Sequence, residues 1–237
     1  MKLSIIFPAY NEEKRIIPIL ESYYNFFKKK LKNSFEFIVI PNNCSDKTFE
    51  IVKKFSFNKK NIFVYNIPCY VGKGGAIIKG FELAKGNLIG FVDSDESTSP
   101  EEFYKLYKNI GEFDGIIASR KMKGAKIFPK REIKKRTSSF LFNIFVRILF
   151  GLKFKDTQCG AKLFKKDVAK FLSENLTEKG WEFDVDLLYL CKKRKYKIKE
   201  FPISWKDCVG SHLTTLKGIN SILSLIKYRL FFKHPKH

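Results

Sequence analysis

The chain has 237 residues, 44% of them hydrophobic, with 46 Lys and Arg against 24 Asp and Glu, a formal net charge of +22. That length sets one large domain or one domain with a tail. The charge directs attention to an anionic partner, whether nucleic acid, an anionic membrane face or a phosphorylated ligand, although a Lys-, Asn-, Ile- and Phe-rich composition of the AT-rich coding type would raise it by itself. Five scattered cysteines form no C-x-x-C pair, which speaks against a zinc site. "MKLSIIFPAY" meets the charges of "NEEKR" too early for a secretory signal, so the cysteines are expected reduced and mostly buried in a cytoplasmic chain. No run of roughly 20 apolar residues is present to span a bilayer.

In chain order, "KLSIIF" reads as a strand stopped by Pro8. Asn11 is placed to cap a helix through "EEKRIIPILESYYNFFKKKL", which Pro18 kinks or delays. "FEFIVI" is a second strand, and "SDKTFEIVKKF" a short helix with Ser45 or Asp46 near its N-cap. "NIFVYNI" is a third strand, "GKGGAIIKGFELAKG" a glycine-entered helix and "NLIGFVD" a fourth strand. "SPEEFYKLYKNI" opens a helix with Pro100 at its start, and "FDGIIASR" is a fifth strand. Alternation at this spacing predicts an α/β fold with a central, mostly parallel sheet flanked by helices. In such sheets ligands bind beyond the carboxyl ends of the strands. Pro8 to Glu12, Asn42 to Ser45, Gly72 to Gly75, Asp93 to Asp95 and Arg120 all follow such ends, so they are expected to form one composite site.

The second half changes character. Basic "REIKKRTSS" leads into "FLFNIFVRILFGLKF", where only Asn143, Arg147 and Gly151 break the apolar surface, four residues apart. This segment is either a buried core helix or an interfacial one, too short to cross a bilayer. "GINSILSLIKYRLFFK" sets Ile219, Ile222, Leu223, Ile226 and Leu230 on one stripe, with Lys227, Arg229 and Lys233 off it. It is a basic amphipathic helix that packs on the chain's own core or on a membrane. Two such helices beside basic runs favour an anionic membrane surface. The expected division is 1–212 as the catalytic domain, with 133–153 as an interfacial helix insertion, and 213–237 as a membrane-associating amphipathic helix.

Asp93 and Asp95 in "FVDSDES" alternate, so both side chains can face one way. Carboxylates there suit a hard cation, Mg²⁺ or Mn²⁺, which would also take oxygens from a diphosphate. "GKGG" lacks the full phosphate-loop spacing, yet its backbone at Gly74 can approach a phosphate and Lys73 can add charge; a tight turn with a solvated lysine is the plainer alternative.

"FPAYNEE", "GKGGAIIKGFELAKG", "FVDSDES", "ASR", "DTQCGAKLF", "WEFDVDLLYL" and "ISWKDCVGSHL" occur in that order over nearly the whole chain. This set resembles inverting glycosyltransferases of family 2 with a GT-A fold, most closely the dolichyl-phosphate glucosyltransferase branch, next to dolichyl-phosphate mannose synthases. The resemblance implies transfer of a hexose, glucose from UDP-glucose by preference, from a nucleoside diphosphate sugar to a polyprenyl or dolichyl phosphate, by an enzyme peripheral on the cytosolic face of a membrane. It further implies nucleotide-sugar contacts from Pro8, Tyr10, Asn11, Glu12, Asn42, Lys73, Gly74, Ser94, Gln158 and Trp181. Asp93 and Asp95 match the metal and diphosphate motif. Arg120, Arg131, Arg136, Ser139, Ser211 and His212 match regions that clamp the lipid phosphate, His212 standing where many relatives carry Lys. One departure stands out: relatives follow the second strand with Asp-Asp-Gly-Ser, whereas "PNNCSD" puts Asn42 at the acid position.

The acceptor decides what the protein must supply. A sugar hydroxyl needs a positioned base. A phosphate monoester, with a second pKa near 6, is already mostly dianionic at neutral pH and needs a cationic clamp instead. Asp184 stands where hydroxyl-transferring relatives keep their base; here it is expected to hold sugar hydroxyls or orient a clamp residue. Two alternatives keep the fold but change the substrates, to GDP-mannose or to a soluble sugar or glycerate acceptor. A nucleic-acid-binding protein is the alternative of another class. No nucleic acid is expected, because no recognisable binding module is present.

Overall fold

The structure, a computed structural model, describes residues 2–129, 133–180 and 182–207 together with Leu225, Ile226 and Arg229; for 133–140 the backbone alone is described. The first half alternates as expected. Strand β1 (Leu3–Ala9) leads to α1 (Ile16–Leu31), β2 (Phe35–Pro41), α2 (Thr48–Ser56), β3 (Ile62–Val64), α3 (Gly72–Leu83), β4 (Leu88–Val92), α4 (Pro100–Asn109) and β5 (Gly115–Ser119). The second half adds β6 (Lys126–Phe128), α5 (Ile133–Phe150), β7 (Ala161–Lys165), α6 (Lys166–Asn175), α7 (Phe183–Lys193), β8 (Ile198–Pro202) and β9 (Ser204–Lys206).

Seven strands form one sheet in the order β3-β2-β1-β4-β7-β5-β8, and β6 pairs with β9 apart from it. Strand β7 runs antiparallel to both β4 and β5, while the other pairs are parallel. β1 and β2 are buried almost throughout, as a strand covered on both faces must be. One face carries Ile6, Ile38, Ile89, Phe91 and Phe164 against apolar residues of α3, α5, α6 and α7. The other carries Ile5, Phe7, Phe37 and Leu163 against α1, α2 and α4. Two cores on opposite faces of one sheet fix its strands, and with them the loops at its carboxyl edge.

Several local expectations shift. Asn11 does not cap α1: it has a left-handed φ of 54° and its Oδ1 accepts from Ser45 N–H at 2.8 Å. The helix starts only at Ile16, which puts Pro18 in the first turn, where its missing N–H costs nothing. Asp46 is used near the start of α2, its Oδ1 accepting from Thr48 N–H at 3.0 Å. Ser99 caps α4, with Pro100 following as expected. β3 is shorter than the apolar run that predicts it, although Ile67 still bridges to Asn42.

Helix α5 divides the expected polar stripe, with Arg147 and Gly151 exposed and Asn143 buried. Asn143, part of the expected polar stripe, is 5% exposed and faces Thr157, while Leu141 and Ile148 are 60% and 78% exposed. The apolar stripe therefore points outward at these positions, with exposed Arg147 beside it. Of the C-terminal segment, Leu225 is buried in the core, and Arg229 Nε donates to Leu149 O at 3.3 Å. Ile226 is half-buried, and the rest of 213–237 lies outside the described residues. Cys159 and Cys191 are buried, Cys44 is half-buried and Cys69 is exposed, so the expectation of mostly buried thiols holds for two of these four.

Candidate active site

Because β4 ends at Val92 and pairs there with Ala161, the first residue of antiparallel β7, the loop before β7 lies at the carboxyl edge of the parallel strands. Asp93 N–H donates to Gly160 O at 3.1 Å across this junction. A side chain on Gly160 would run into the Asp93 carboxylate, so only glycine lets the two segments pass. That is the local reason for the glycine in "DTQCG".

At this edge four charged side chains alternate in sign. Lys73 Nζ sits 2.6 Å from Asp93 Oδ1 and 3.7 Å from Asp184 Oδ2. Asp184 Oδ1 in turn accepts from Lys162 Nζ, which also donates to Cys159 O at 2.8 Å. Lys162 is wholly buried and Asp184 is 3% exposed. Lys73 comes from the first turn of α3, Asp184 from the first turn of α7 and Lys162 from β7. Burial works against the charge of Lys73, but Asp93 and Asp184 outweigh it and hold its pKa above the ordinary lysine value. Burial pushes the Asp93 carboxyl up; Lys73 opposes this, and the charges of Asp95 and Asp184 add to it.

Asp95 stands apart from this chain. Its Oδ1 accepts from Ser97 N–H at 3.0 Å, and it has no cationic partner among the described residues. Three carboxylates (Asp93, Asp95, Asp184) therefore face two ammonium groups (Lys73, Lys162), leaving one excess negative charge at Asp95. Glu12 lies close enough to feel it: burial raises the Glu12 carboxyl, Arg15 at 2.7 Å opposes this, and Asp95 and Asp46 push it up further. No group of three or more potential ligands occurs among the described residues. The chemistry here suits a hard cation that borrows most of its ligands from elsewhere, as magnesium does with phosphate oxygens.

Arg120, expected to meet a phosphate, already pairs with a carboxylate of the protein. Its Nε and Nη2 donate to the two oxygens of Asp156 at 2.7 and 2.9 Å, and its own N–H adds a third bond at 2.9 Å. Trp205 covers the guanidinium at 5.2 Å, and Asp156 N–H donates to Glu200 at 2.8 Å. Burial would raise the Asp156 carboxyl, yet the Arg120 guanidinium holds it well below the usual carboxylate range.

The remaining expected contacts divide. Pro8 O accepts from Ser94 Oγ at 3.0 Å, joining β1 to the loop after β4. Gly74 does not offer its N–H to a ligand: it donates to Lys179 O at 2.8 Å, and the glycines of "GKGG" admit the 178–180 segment against α3. Asn42 is 2% exposed, with a buried Oδ1 that has no hydrogen-bond partner. Tyr10 meets Tyr70 edge to face at 6.2 Å, and both rings are exposed. Gln158 is half-buried in the loop before β7. Trp181, Arg131, Ser211 and His212 lie outside the described residues, as do the side chains of Arg136 and Ser139. Sequence reasoning missed Lys162 and Tyr70. For Lys162 a signal existed: a lone lysine inside the apolar strand "GAKLF" must find a carboxylate when both faces are covered.

The model of the glycosyl transferase family 2 matches residues 4–172, more than half of the chain. Dolichyl-phosphate beta-glucosyltransferase ALG5D of Trichomonas vaginalis is 32% identical over 242 residues, 98% of this chain and 74% of that protein. The dolichyl-phosphate beta-glucosyltransferase of Dictyostelium discoideum is 32% identical over 223 residues, 89% and 68% of the two chains. Among solved structures, Mycobacterium tuberculosis glucosyl-3-phosphoglycerate synthase in complex with Mn²⁺, UDP and phosphoglyceric acid superposes with a TM-score of 0.69 at 17% identity, over 98% of this chain and 79% of that one. That likeness shows a shared GT-A fold. With its fold, its edge-of-sheet site and the family match in agreement, the chain belongs to glycosyl transferase family 2 and is a glycosyltransferase.

Proposed function

We propose that the enzyme transfers glucose from UDP-glucose to a polyprenyl phosphate of the dolichyl type, with inversion, while bound peripherally to the cytosolic face of a membrane. The observation that carries this reading is the state of Asp184. Both its oxygens face lysines, one of them fully buried, so the residue placed to act as base is committed to cations. An acceptor that arrives as a dianion needs no base. Its oxygen forms the new bond to the anomeric carbon as the bond from that carbon to the diphosphate oxygen breaks; UDP leaves with the electron pair and no proton moves. One in-line displacement converts an α-linked donor into a β-linked product. The names of the relatives agree with this acceptor and this linkage.

The donor is assigned from the edge of the sheet. The Asn amide can accept from an N–H and donate to a carbonyl, the pairing that the N3–H and carbonyl edge of uracil requires. Asn42 Oδ1, buried and unpartnered, is such an acceptor; the Asn42 backbone N–H donates to the O of Ala9, the residue before Tyr10, and the exposed rings of Tyr10 and Tyr70 would supply a surface for base stacking. Asp95 would hold Mg²⁺ or Mn²⁺ together with the donor diphosphate, where the ion's charge would stabilise the departing nucleotide. Asp93 is already paired with Lys73, and of this pair the Lys73 ammonium would be the group that attracts the same diphosphate. Arg131, Arg136, Ser139, Ser211 and His212 are assigned to the acceptor phosphate.

Membrane contact is supported by Leu141 and Ile148, exposed on α5 beside Arg147, in a chain of net charge +22. No helix among the described residues is long and apolar enough to cross a membrane. The test is a donor and acceptor matrix: UDP-glucose and GDP-mannose against a short polyprenyl phosphate, 3-phosphoglycerate and a polyprenol, with Mg²⁺, Mn²⁺ or EDTA, products identified by mass and linkage by NMR. A β-glucosyl polyprenyl phosphate formed only with metal is expected. Transfer confined to 3-phosphoglycerate or to the alcohol would overturn the acceptor, and preference for GDP-mannose would overturn the donor.

A further inference from the structure

Lys162 is the most deeply buried charge at the site, and the substrate-facing elements do not account for it. It projects from β7 between the sheet and α7, lies 5.5 Å from the Phe91 ring centroid and spends its donors on Cys159 O and Asp184 Oδ1. A buried ammonium in an apolar layer is costly unless it is paired and hydrogen-bonded. Replacing it by an apolar side chain would suit the surrounding core, so its presence asks for a reason beyond packing. Geometry supplies one. By taking Oδ1 from beneath, Lys162 turns Oδ2 toward Lys73, whose ammonium then bridges Asp184 and Asp93 at the mouth of the site. The order Lys162–Asp184–Lys73–Asp93 thus passes from the core outward to the residues expected to hold the donor.

We propose that Lys162 is a positioning and acceptor-selecting residue: acting through Asp184, it sets Lys73 against the donor and occupies the oxygen that would otherwise take a proton from a hydroxyl acceptor. The enzyme is thereby restricted to acceptors that arrive ionised. The restriction rests on the phosphate-acceptor reading above; the positioning role does not.

The consequence is separable from ordinary destabilisation. In Lys162→Met the Asp184 oxygen is released, so water or an alcohol gains a base while Lys73 loses its alignment. Transfer to a short polyprenyl phosphate should fall about 10- to 100-fold in kcat, the usual cost of a misplaced group, with donor KM changed much less. Release of UDP without lipid product, which counts water as acceptor, should rise relative to transfer. In an Asp184→Asn background, Lys162→Met should cost little further, because its effect travels through that carboxylate. Lys162→Arg, which keeps the charge, should retain more transfer than Lys162→Met.

The experiment measures transfer and UDP release for the four members of this cycle plus Lys162→Arg, each confirmed folded by its melting curve. An equal loss from Lys162→Met in both backgrounds, or an unchanged ratio of hydrolysis to transfer, would overturn the proposal. Where Lys162→Met fails to fold, the decision falls to Lys162→Arg and to the double variant, whose two buried charges are removed together. If the wild-type protein itself uses a hydroxyl acceptor, the functional reading fails, and the cycle still decides whether Lys162 acts through Asp184.

Discussion

Gly160→Ala is the sharpest perturbation of the site that leaves every charged group in place. An alanine Cβ there would lie 2.8 Å from Asp93 Oδ1 and closer still to Cγ and Oδ2. Ordinary carbon–oxygen contact needs upwards of about 3.2 Å, and Oδ2 would lie at 1.8 Å, so that oxygen must move by about 1.4 Å or more. Its Oδ1 lies 2.6 Å from Lys73, and that ion pair cannot survive such a move unchanged. Gly160 has no left-handed φ, so the backbone itself accepts alanine, and the whole effect comes from the clash. The Asp93 side chain is 25% exposed and can rotate toward solvent. Stability should therefore fall only by the usual overpacking cost, about 1–3 kcal/mol. Activity should fall further, about 10²-fold in kcat/KM, because the displaced groups are those set against the donor. A melting curve and steady-state kinetics on the same preparation separate the two effects. A variant that keeps its activity within threefold while its melting temperature drops would refute the placement of Asp93 and Lys73 at the donor.

Asp156→Asn tests the Arg120 pair. The folded-state pKa of Asp156 is depressed, so its contribution is present above the ordinary aspartate range and is lost as the pH falls through the folded value. The variant should be less stable by about 3 kcal/mol at pH 7, and the gap should close as the wild type is titrated to strongly acid pH; a gap of the same size at pH 2–3 would contradict the pairing. Burial pushes the Cys159 thiol up to about 12 and raises that of Cys191 as well. Brief alkylation of the native protein at pH 8, mapped by mass spectrometry, should modify exposed Cys69 and spare both; labelling of Cys159 without unfolding would show that the loop before β7 opens. Arg131→Ala and Arg136→Ala should each raise the KM for polyprenyl phosphate about tenfold and leave the UDP-glucose KM nearly unchanged. Equal effects on both substrates would remove these residues from the acceptor site.

The alternation of strand and helix was legible because each parallel strand, covered on both faces, is a continuous apolar run, and each following helix carries its own period. The convergence of Pro8, Asn42, Asp93 and Arg120 followed from that alternation alone. The caps were less legible. Asn11 has the right chemistry and position for an N-cap, but the loop after β2 competes for its oxygen, and that competitor lies 34 residues away. Asn143 misled for a similar reason: its partners come from the 155–157 segment and turn a polar residue inward. Lys162 escaped because its role depends on β7 being inserted antiparallel between β4 and β5. No local pattern encodes that insertion, yet it brings a strand interior beneath the active site.

The distribution of partners among the cations has a consequence for substrate binding. Lys73, Lys162, Arg120 and Arg15 each already face a carboxylate of the protein. These four set the site's internal charge close to neutral and fix its side chains, so they attract a second anion weakly. The proposed function nevertheless requires two anions to meet here, a nucleoside diphosphate and an ionised acceptor. For the donor, the excess carboxylate at Asp95 can recruit a divalent cation, which reverses the local sign once diphosphate oxygens complete its shell. For the acceptor the charge would have to come from outside this inner set, and the basic run "KREIKKR", residues 130 to 136, continues into α5, the helix that carries exposed Leu141 and Ile148. On the proposed reading, an acceptor charge partner next to the exposed apolar positions of α5 would couple headgroup capture to membrane contact. A soluble sugar acceptor would have no use for such an arrangement, so on the proposed reading the charge pattern and the exposed apolar positions support the same substrate.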